Sequence, residues 1–298
     1  MDADDRPALA EPLAVWALFG LVALAVCITY ARLPAADLWN VSVGGLRGGL
    51  DRALVFLNFS TGLAAIPVAA LAAERIRTRW GDAVAVLACV LCLVLAWPGV
   101  VDQDDLDAKA ANLVPALGVA LALGLTLAAW RLRGRGRRPR RVRGDRVRTI
   151  LAIVLVVAAV PWIAAELGFY GGLGGLFEAG EVVPETGHPT LRAVHLGHHH
   201  GLDGTLLALT ALLLTRELGR VARPRLRAVL TAYLALLGVY GLANALNDFW
   251  GEQLVKRDVV SETLPSFLRP SLGIAWLLLL VAAALVYALL RRTTPSPP

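Results

Sequence analysis

Residues 190–218 read TLRAVHLGHHHGLDGTLLALTALLLTREL, and this stretch shows the pattern that decides the fold. A polar beginning rich in histidine leads into an apolar run, and an arginine ends that run. An apolar run of about 20 residues is long enough to cross the hydrocarbon core of a bilayer as a helix. The stretch therefore predicts a membrane-spanning helix with a polar cluster at one end and positive charge at the other.

Apolar runs of this kind recur along the whole chain of 298 residues. Hydrophobic residues make up 57% of the sequence and charged residues only 17%, whereas about a quarter of a soluble domain is charged. We therefore predict an all-α fold, a polytopic membrane protein with eight transmembrane helices. The predicted spans are about 12–30, 52–73, 83–98, 112–130, 150–169, 195–218, 226–248 and 270–290.

Arginine is concentrated after every second predicted span. It follows spans two, four, six and eight, and ten arginines lie between Arg131 and Arg148 alone. Because loops rich in Lys and Arg stay in the cytoplasm, the pattern predicts that both termini are cytoplasmic. The acidic N-terminus, residues 1–6, lacks the basic start of a signal peptide, so we expect the first span to be retained. The predicted location is the cell membrane, with multiple passes.

The net charge of +6 raises the question of a nucleic-acid partner. The positive charge lies in short loops between apolar runs, however, which favours membrane lipids as partners and no nucleic acid. We predict one integral-membrane bundle over 1–298. The basic loop 131–148 divides it into candidate halves, 1–130 and 149–292.

Polar residues are concentrated in the halves of the spans that lie away from the arginines. Polar groups inside hydrocarbon cost several kcal/mol unless they are paired, on the order of 3 on insertion scales, so their clustering is informative. It predicts a polar cavity that opens outward. The residues concerned are Asn58, Ser60, Thr61, Glu166, Asp203, Tyr240, Asn244, Asn247, Asp248 and the histidines.

The spacing of the histidines suggests a metal site. His195, His199 and Asp203 recur every four residues and share one face of a helix, and His198 lies beside His195. Two neutral imidazoles at positions i and i+4 are a suitable pair of ligands for zinc. We therefore predict a divalent metal, with zinc as the first candidate, held by His195, His198, His199 and Asp203. Whether His188 and His200 take part stays open.

A metal with an open coordination position would support hydrolysis or group transfer. It would polarise a carbonyl or phosphoryl oxygen and generate hydroxide near neutral pH. Glu166 is the first candidate for the general base, and Asp248 is the second catalytic carboxylate. Tyr170 or Tyr240 would donate to a developing oxyanion. The leading hypothesis is a metal-dependent hydrolase or transferase that acts on a lipid or lipid-linked substrate.

Two short resemblances concern the same histidines. His195-Leu-Gly-His198-His199 resembles one histidine box of the membrane fatty-acid hydroxylases and desaturases, but those enzymes use several boxes and this chain has all five histidines in one stretch. His195 and His199 are similar to the H-x-x-x-H pair of alkaline ceramidases and adiponectin-receptor-like hydrolases. The further histidine that those enzymes carry on an earlier span is missing. The resemblances imply a metal near one face of the bundle and assign no family.

Two other kinds of function fit the same pattern. One is a transporter or a protein that handles metal ions or protons, with the histidines and carboxylates as the relay. The other is a non-catalytic membrane subunit, in which the histidines would be solvated at the membrane surface. An enzyme requires the polar residues of spans two, five, six and seven to converge, and a transporter requires polar groups nearer the inner leaflet or broken helices. Gly201 and Gly204 indicate either a bend or the close approach of another span.

Overall fold

The structure is a computed structural model that describes residues 6–34, 42–97, 100, 106–136, 141–166, 200–255 and 258–294. Every regular element in these residues is helical, so the predicted all-α fold class is confirmed for them. The α-helices are α1 Ala10–Arg32, α2 Gly45–Phe56, α3 Gly62–Ile76, α4 Arg79–Leu93, α5 Leu113–Arg133, α6 Asp145–Ala158, α7 Val160–Glu166, α8 His200–Leu214, α9 Pro224–Phe249 and α10 Ile274–Thr293.

Within the described residues, six helical segments are long and apolar enough to cross a membrane. Each of them coincides with one of the eight predicted spans. The other two predicted spans contain shorter helices: α6 and α7 have 14 and 7 residues, and α8 has 15. The six segments are Ala10–Arg32, Gly45–Ile76, Arg79–Ala96, Ala110–Arg133, Pro224–Val255 and Ile274–Thr293.

The second predicted span contains two departures from the α-helix. A π-helical turn, Leu57–Thr61, joins α2 to α3 without interrupting the helical path. In α3, Pro67 has no N–H to donate to the carbonyl oxygen of Leu63, four residues earlier. The Tyr233 hydroxyl of α9 donates to that oxygen at 2.8 Å. A side chain on a neighbouring helix therefore satisfies the backbone group that proline leaves without a partner.

The fifth predicted span is divided by a proline. Pro161 cannot donate to the Val157 carbonyl, and its ring disfavours a continuous helix at that point. The helix breaks accordingly, with α6 ending at Ala158 and α7 beginning at Val160. The described part of the fifth predicted span, about 150–169, thus consists of two short helices. Trp162 lies on α7 as a fully buried side chain.

Helices α8 and α9 pack through small residues. A Cβ atom added to Gly204 would lie 2.4 Å from the Gly241 carbonyl oxygen, and one added to Gly241 would lie 2.5 Å from the Gly204 oxygen. The two backbones therefore approach within a distance that only glycine permits. Of the two possibilities for Gly204, the close approach of another span is the one observed.

Besides a small apolar cluster at α1 and α2, the helices of the described residues surround two larger ones. One combines side chains of α1, α3, α7, α8 and α9, and the other lies between α1, α3, α4 and α5. The outer faces of the peripheral helices are apolar and exposed, as expected of surfaces that face lipid. On α10 these residues are Ile274, Leu277, Leu278, Leu280, Val281, Leu285 and Leu289.

Candidate functional site

The beginning of α8 contacts the π-helical turn of the second predicted span. The Ser60 hydroxyl donates a hydrogen bond to Asp203 Oδ1. Both residues are buried. The bond joins two positions that are 143 residues apart in the sequence. The bond fixes the orientation of a carboxylate inside the bundle. Carboxylates that bind metal ions are commonly oriented by a hydrogen bond of this kind from a neighbouring side chain.

Gly201 brings a second carboxylate to the same end of α8. Its backbone N–H donates to Asp248 Oδ2 of α9 at 2.8 Å. A Cβ atom at Gly201 would lie 2.1 Å from the Trp162 ring of α7 and 2.6 Å from the Asp248 oxygen. Glycine is therefore needed at this position, because any side chain would displace the indole or the carboxylate. The contact joins α7, α8 and α9.

A third carboxylate lies one turn beyond Asp248. Glu252, in the π-helical turn Trp250–Val255 that follows α9, accepts a hydrogen bond from Trp162 Nε1 at 3.1 Å. The residue is 6% exposed, which is unusual for an acidic side chain. Glu252 is not among the residues predicted from the sequence. Its spacing of four from Asp248 places both on one helical face and was the available signal.

Asp203, Asp248 and Glu252, with Ser60, Gly201 and Trp162, define what we call the carboxylate end of the bundle. These contacts bring residues of the second, fifth and seventh predicted spans to the beginning of α8, although the fifth span contributes Trp162 and the side chain of Glu166 lies outside the described part. The hydroxyl of Tyr240, one of the two predicted oxyanion donors, donates to the Leu268 carbonyl at 3.0 Å.

The asparagines of the region make local backbone contacts. Asn244 donates to the Tyr240 carbonyl of its own helix at 2.8 Å, and Asn58 donates to the Leu54 carbonyl at 2.7 Å. Asn247 donates to the Pro265 carbonyl at 3.1 Å and so holds the chain before α10. These three side chains position backbone. None of these bonds reaches the carboxylates.

Most of the predicted metal ligands lie outside the described residues. These are His195, His198 and His199, together with His188. His200 is the first residue of α8, and Glu166 is the last residue of α7, with its side chain outside the part that the structure describes. Within the described ranges, no three His, Cys, Asp or Glu residues are arranged to hold a metal ion. The carboxylate end therefore does not form a complete metal site by itself.

The opposite ends of α8 and α9 carry an ionic network that the sequence does not predict. Arg216, just after α8, donates to Glu11 at 2.6 Å and to Asp145 at 3.1 Å. Arg223, just before α9, donates to Glu74 at 2.5 Å and to Asp82 at 2.8 Å. The arginines were predicted to orient the chain in the membrane and to attract lipid headgroups. The structure additionally pairs several of them with acidic side chains.

These contacts shift two pKa values at what we call the arginine end, which comprises Glu11, Glu74, Asp145, Arg216, Glu217 and Arg223. Partial burial acts to raise the pKa of Asp145, but the Val142 N–H and the Arg216 guanidinium hold it below its ordinary value. Burial acts to lower the pKa of Arg223, whereas hydrogen bonds to Asp82 and Glu74 raise it above its ordinary value. Both ion pairs therefore favour the charged forms.

The distance between the two ends can be judged from α8. Asp203 lies in its first turn and Glu217 follows its last, so that about 21 Å of helix rise separates them. That separation is about two thirds of the thickness of the hydrocarbon core, which is about 30 Å. Comparison with known protein families, with curated proteins and with solved structures finds no match for this chain. The class that the fold defines is a multi-pass helical membrane protein.

Proposed function

We propose that the chain crosses the cell membrane eight times, with both termini in the cytoplasm. In this arrangement α6 with α7 forms the fifth span and α8 forms part of the sixth. The arginine end supports the proposal, because ends of α3, α6, α8 and α9 and the start of α1 meet there through ion pairs. Arginine collected on one side of the bundle marks that side as cytoplasmic. The carboxylate end then faces outward.

We further propose that the carboxylate end belongs to the active site of a metal-dependent hydrolase or transferase. The observation that carries the proposal is the convergence of Ser60, Trp162, Asp203 and Asp248 from four predicted spans. Buried ionisable groups within a membrane bundle are costly and are typical of functional sites. A solvated histidine loop on a non-catalytic subunit would not require them.

The roles follow from the position of each group. Asp203, already oriented by Ser60, would complete a divalent-metal site with His195, His198 and His199, and zinc suits that mixture of nitrogen and oxygen ligands. Such an ion would polarise the oxygen under attack and activate a water molecule. Asp248 or Glu166 would accept the proton of that water molecule.

A lipid or lipid-linked compound is the substrate class that we propose. Helix α6 has Leu155 as its buried hydrophobic side chain, and its other large hydrophobic side chains are exposed. The site therefore lies one helix away from a lipid-facing surface, beside Trp162 of α7. A substrate with an acyl or polyprenyl chain could reach the carboxylates sideways from the outer leaflet, and membrane lipids are the expected surroundings.

The proposal is tested on the full chain in lipid nanodiscs, by metal content and by turnover of a panel of phospholipids, ceramides and polyprenyl phosphates. We expect one bound divalent metal per chain, which is lost in His195→Ala with His199→Ala. Asp248→Asn should keep the metal and lower turnover by about 10²-fold or more, as loss of a general base does. Asp51→Asn, in a surface pair with Arg47, serves as the matched control. Equal metal content in the wild type and the double variant would overturn the proposal.

A transporter or a metal- or proton-handling protein is the second candidate. The π-helical turn Leu57–Thr61 favours it, because a non-α segment next to a buried carboxylate is common where ions bind within membrane helices. Flux assays in proteoliposomes distinguish the two. A proton or metal flux that Asp203→Asn abolishes, without any lipid turnover by the wild type, would favour transport over catalysis.

A further inference from the structure

The arginines at the end of α5 differ from the arginines of the ion pairs. Arg131, Arg133 and Arg135 are all exposed, as is Trp130 beside them. Among the described residues, none of these three arginines pairs with an acidic side chain, whereas arginines that follow α8 pair with buried glutamates. Their charge is therefore available to a partner outside the chain. We propose that Trp130, Arg131, Arg133 and Arg135 form a binding site for the headgroup of an anionic phospholipid, which we call the lipid site.

The end of α5 arranges the three arginines around one exposed indole. At about 100° of helix rotation per residue, Arg133 lies about 60° to one side of Trp130 and Arg131 about 100° to the other. The helix ends at Arg133, and Gly134 then turns the chain with a φ of +64°, in the left-handed region that glycine adopts readily. Arg135 is thereby placed over the Trp130 ring, with its guanidinium carbon 4.6 Å from the ring centroid. Positive charge therefore flanks the indole on both sides and covers it.

Buried groups hold the backbone of the lipid site. Arg75 donates to the Arg133 carbonyl at 2.7 Å, and the Leu9 N–H donates to the Arg135 carbonyl at 2.9 Å. Both donors belong to buried residues. The exposed arginines are therefore not needed to satisfy these two carbonyl groups, and the backbone that carries them is fixed before any ligand binds. A signal for membrane insertion requires only charge near a span and no such positioning.

An apolar stripe on α5 leads from the middle of the helix to the lipid site. Leu123, Leu127 and Trp130 are all exposed, and their spacing of four and three residues places them on one face of the helix. Leu123 lies about 10 Å from Trp130 along the helix axis. A phospholipid whose headgroup contacts the arginines would lay an acyl chain along this stripe. The combination of a cationic end with an apolar stripe favours a lipid over a soluble phosphate compound, which has no acyl chain.

Guanidinium groups suit the headgroup of an anionic phospholipid. An arginine presents paired N–H donors that match two oxygens of a phosphate group. A guanidinium that stacks on an aromatic ring keeps the N–H groups at its edge able to donate, so the contact with Trp130 does not occupy Arg135. Zwitterionic phospholipids carry a positive group beside the phosphate, which the three arginines repel. The lipid site therefore selects headgroups of net negative charge, and it does so whatever reaction the carboxylate end supports.

Native mass spectrometry of the full chain in detergent micelles tests the proposal, with phosphatidylglycerol and phosphatidylcholine of identical acyl chains as the probes. At low ionic strength the first phosphatidylglycerol should bind at least about fivefold more tightly, since one arginine near an anionic surface changes affinity by about that factor. The preference should shrink at high ionic strength, because exposed charges are then screened. Arg131→Gln, Arg133→Gln and Arg135→Gln together should bring the affinity ratio close to one. Equal affinity of the wild type for the two lipids would overturn the proposal.

A matched triple variant separates the lipid site from net charge. Arg32→Gln, Arg47→Gln and Arg269→Gln together remove three charges from exposed positions at the opposite end of the bundle, and this protein should keep the wild-type preference. Arg131→Gln with Arg133→Gln provides the measurement if the first triple variant does not fold, and it should lower the preference by at least about half.

Three results would contradict the lipid site. One is a wild-type preference in either variant of the site, and another is loss of the preference in the matched control. The third is displacement of bound phosphatidylglycerol by glycerol phosphate at equal concentration. That result would make a soluble phosphate compound the ligand, because glycerol phosphate carries the phosphate without the acyl chains.

Discussion

Gly204 of α8 and Gly241 of α9 lie backbone against backbone, and this contact sets the distance between the two helices that carry Asp203 and Asp248. A Cβ atom on either glycine would come within 2.5 Å of the other's carbonyl oxygen. Since side chains at these positions would force the helices apart, the packing of small residues next to Asp203 determines the geometry at the carboxylate end.

Gly204→Val should therefore weaken the fold and separate the two carboxylates. Overpacking of a close contact costs about 1–3 kcal/mol, so we expect the apparent unfolding temperature in nanodiscs to fall by several degrees. Gly124→Val on α5 is the matched control, because nothing lies within 4 Å of a Cβ atom there. A Gly204→Val protein as stable as Gly124→Val would show that the helices do not pack as described.

Gly201 allows a sharper test of the candidate site. Gly201→Ala places a methyl group where the Trp162 ring and the Asp248 oxygen lie, and it changes no charge. We expect turnover or flux to fall by at least about tenfold, because a displacement of about 1 Å at a reacting group has effects of that size or larger. Gly251→Ala, with no atom within 4 Å, should retain the wild-type activity. Unchanged activity in Gly201→Ala would remove Asp248 from the site.

The helices could be predicted from the sequence because a helix in a membrane can carry apolar side chains on almost every face. Such a helix appears in the sequence as a long apolar run. The break at Pro161 was also visible in principle, since proline cannot continue the hydrogen-bonding pattern. The pairs that form the two ends were not predictable. Ser60 and Asp203 were both expected in the outer halves of their spans, but depth alone does not specify which side chains on different helices meet.

The acidic residues of the arginine end were overlooked for another reason. Arginine next to a span has a sufficient explanation in membrane insertion, so the sequence gives no sign that Arg216 and Arg223 also bind buried glutamates. Glu11 and Glu74 lie at helix ends. From sequence alone, an acidic residue at such a position is expected to be exposed to solvent. Only the packing of the ends against each other shows that these side chains are buried.

The eight-span arrangement has a direct test in the segment between α7 and α8. In a background in which Cys27, Cys89 and Cys92 are replaced by alanine, Thr186→Cys should react with a membrane-impermeant maleimide in intact cells. Arg225→Cys, on the exposed first turn of α9, should react only after permeabilisation. If Thr186→Cys also required permeabilisation, the fifth and sixth predicted spans would not cross the membrane, and a six-span arrangement would replace the proposal.

The ion pair of Asp145 with Arg216 should make stability depend on pH in the acidic range. Because the pKa of Asp145 is held below that of an unfolded aspartate, about 3.9, its contribution is fully present above about pH 5. It is lost as the pH falls through the lowered value. Asp145→Asn should thus lower the free energy of unfolding by about 1 kcal/mol at neutral pH.

The difference between wild type and Asp145→Asn should shrink toward zero near pH 3, measured as apparent unfolding temperature across the pH series. Asp51→Asn is the control, because its partner Arg47 lies 3.9 Å away with a side chain that is 78% exposed. That variant should match the wild type throughout, as exposed pairs contribute little. A difference for Asp145→Asn that persisted unchanged to pH 3 would mean that the asparagine disturbs packing, since an electrostatic contribution must vanish once the carboxylate is protonated in both states.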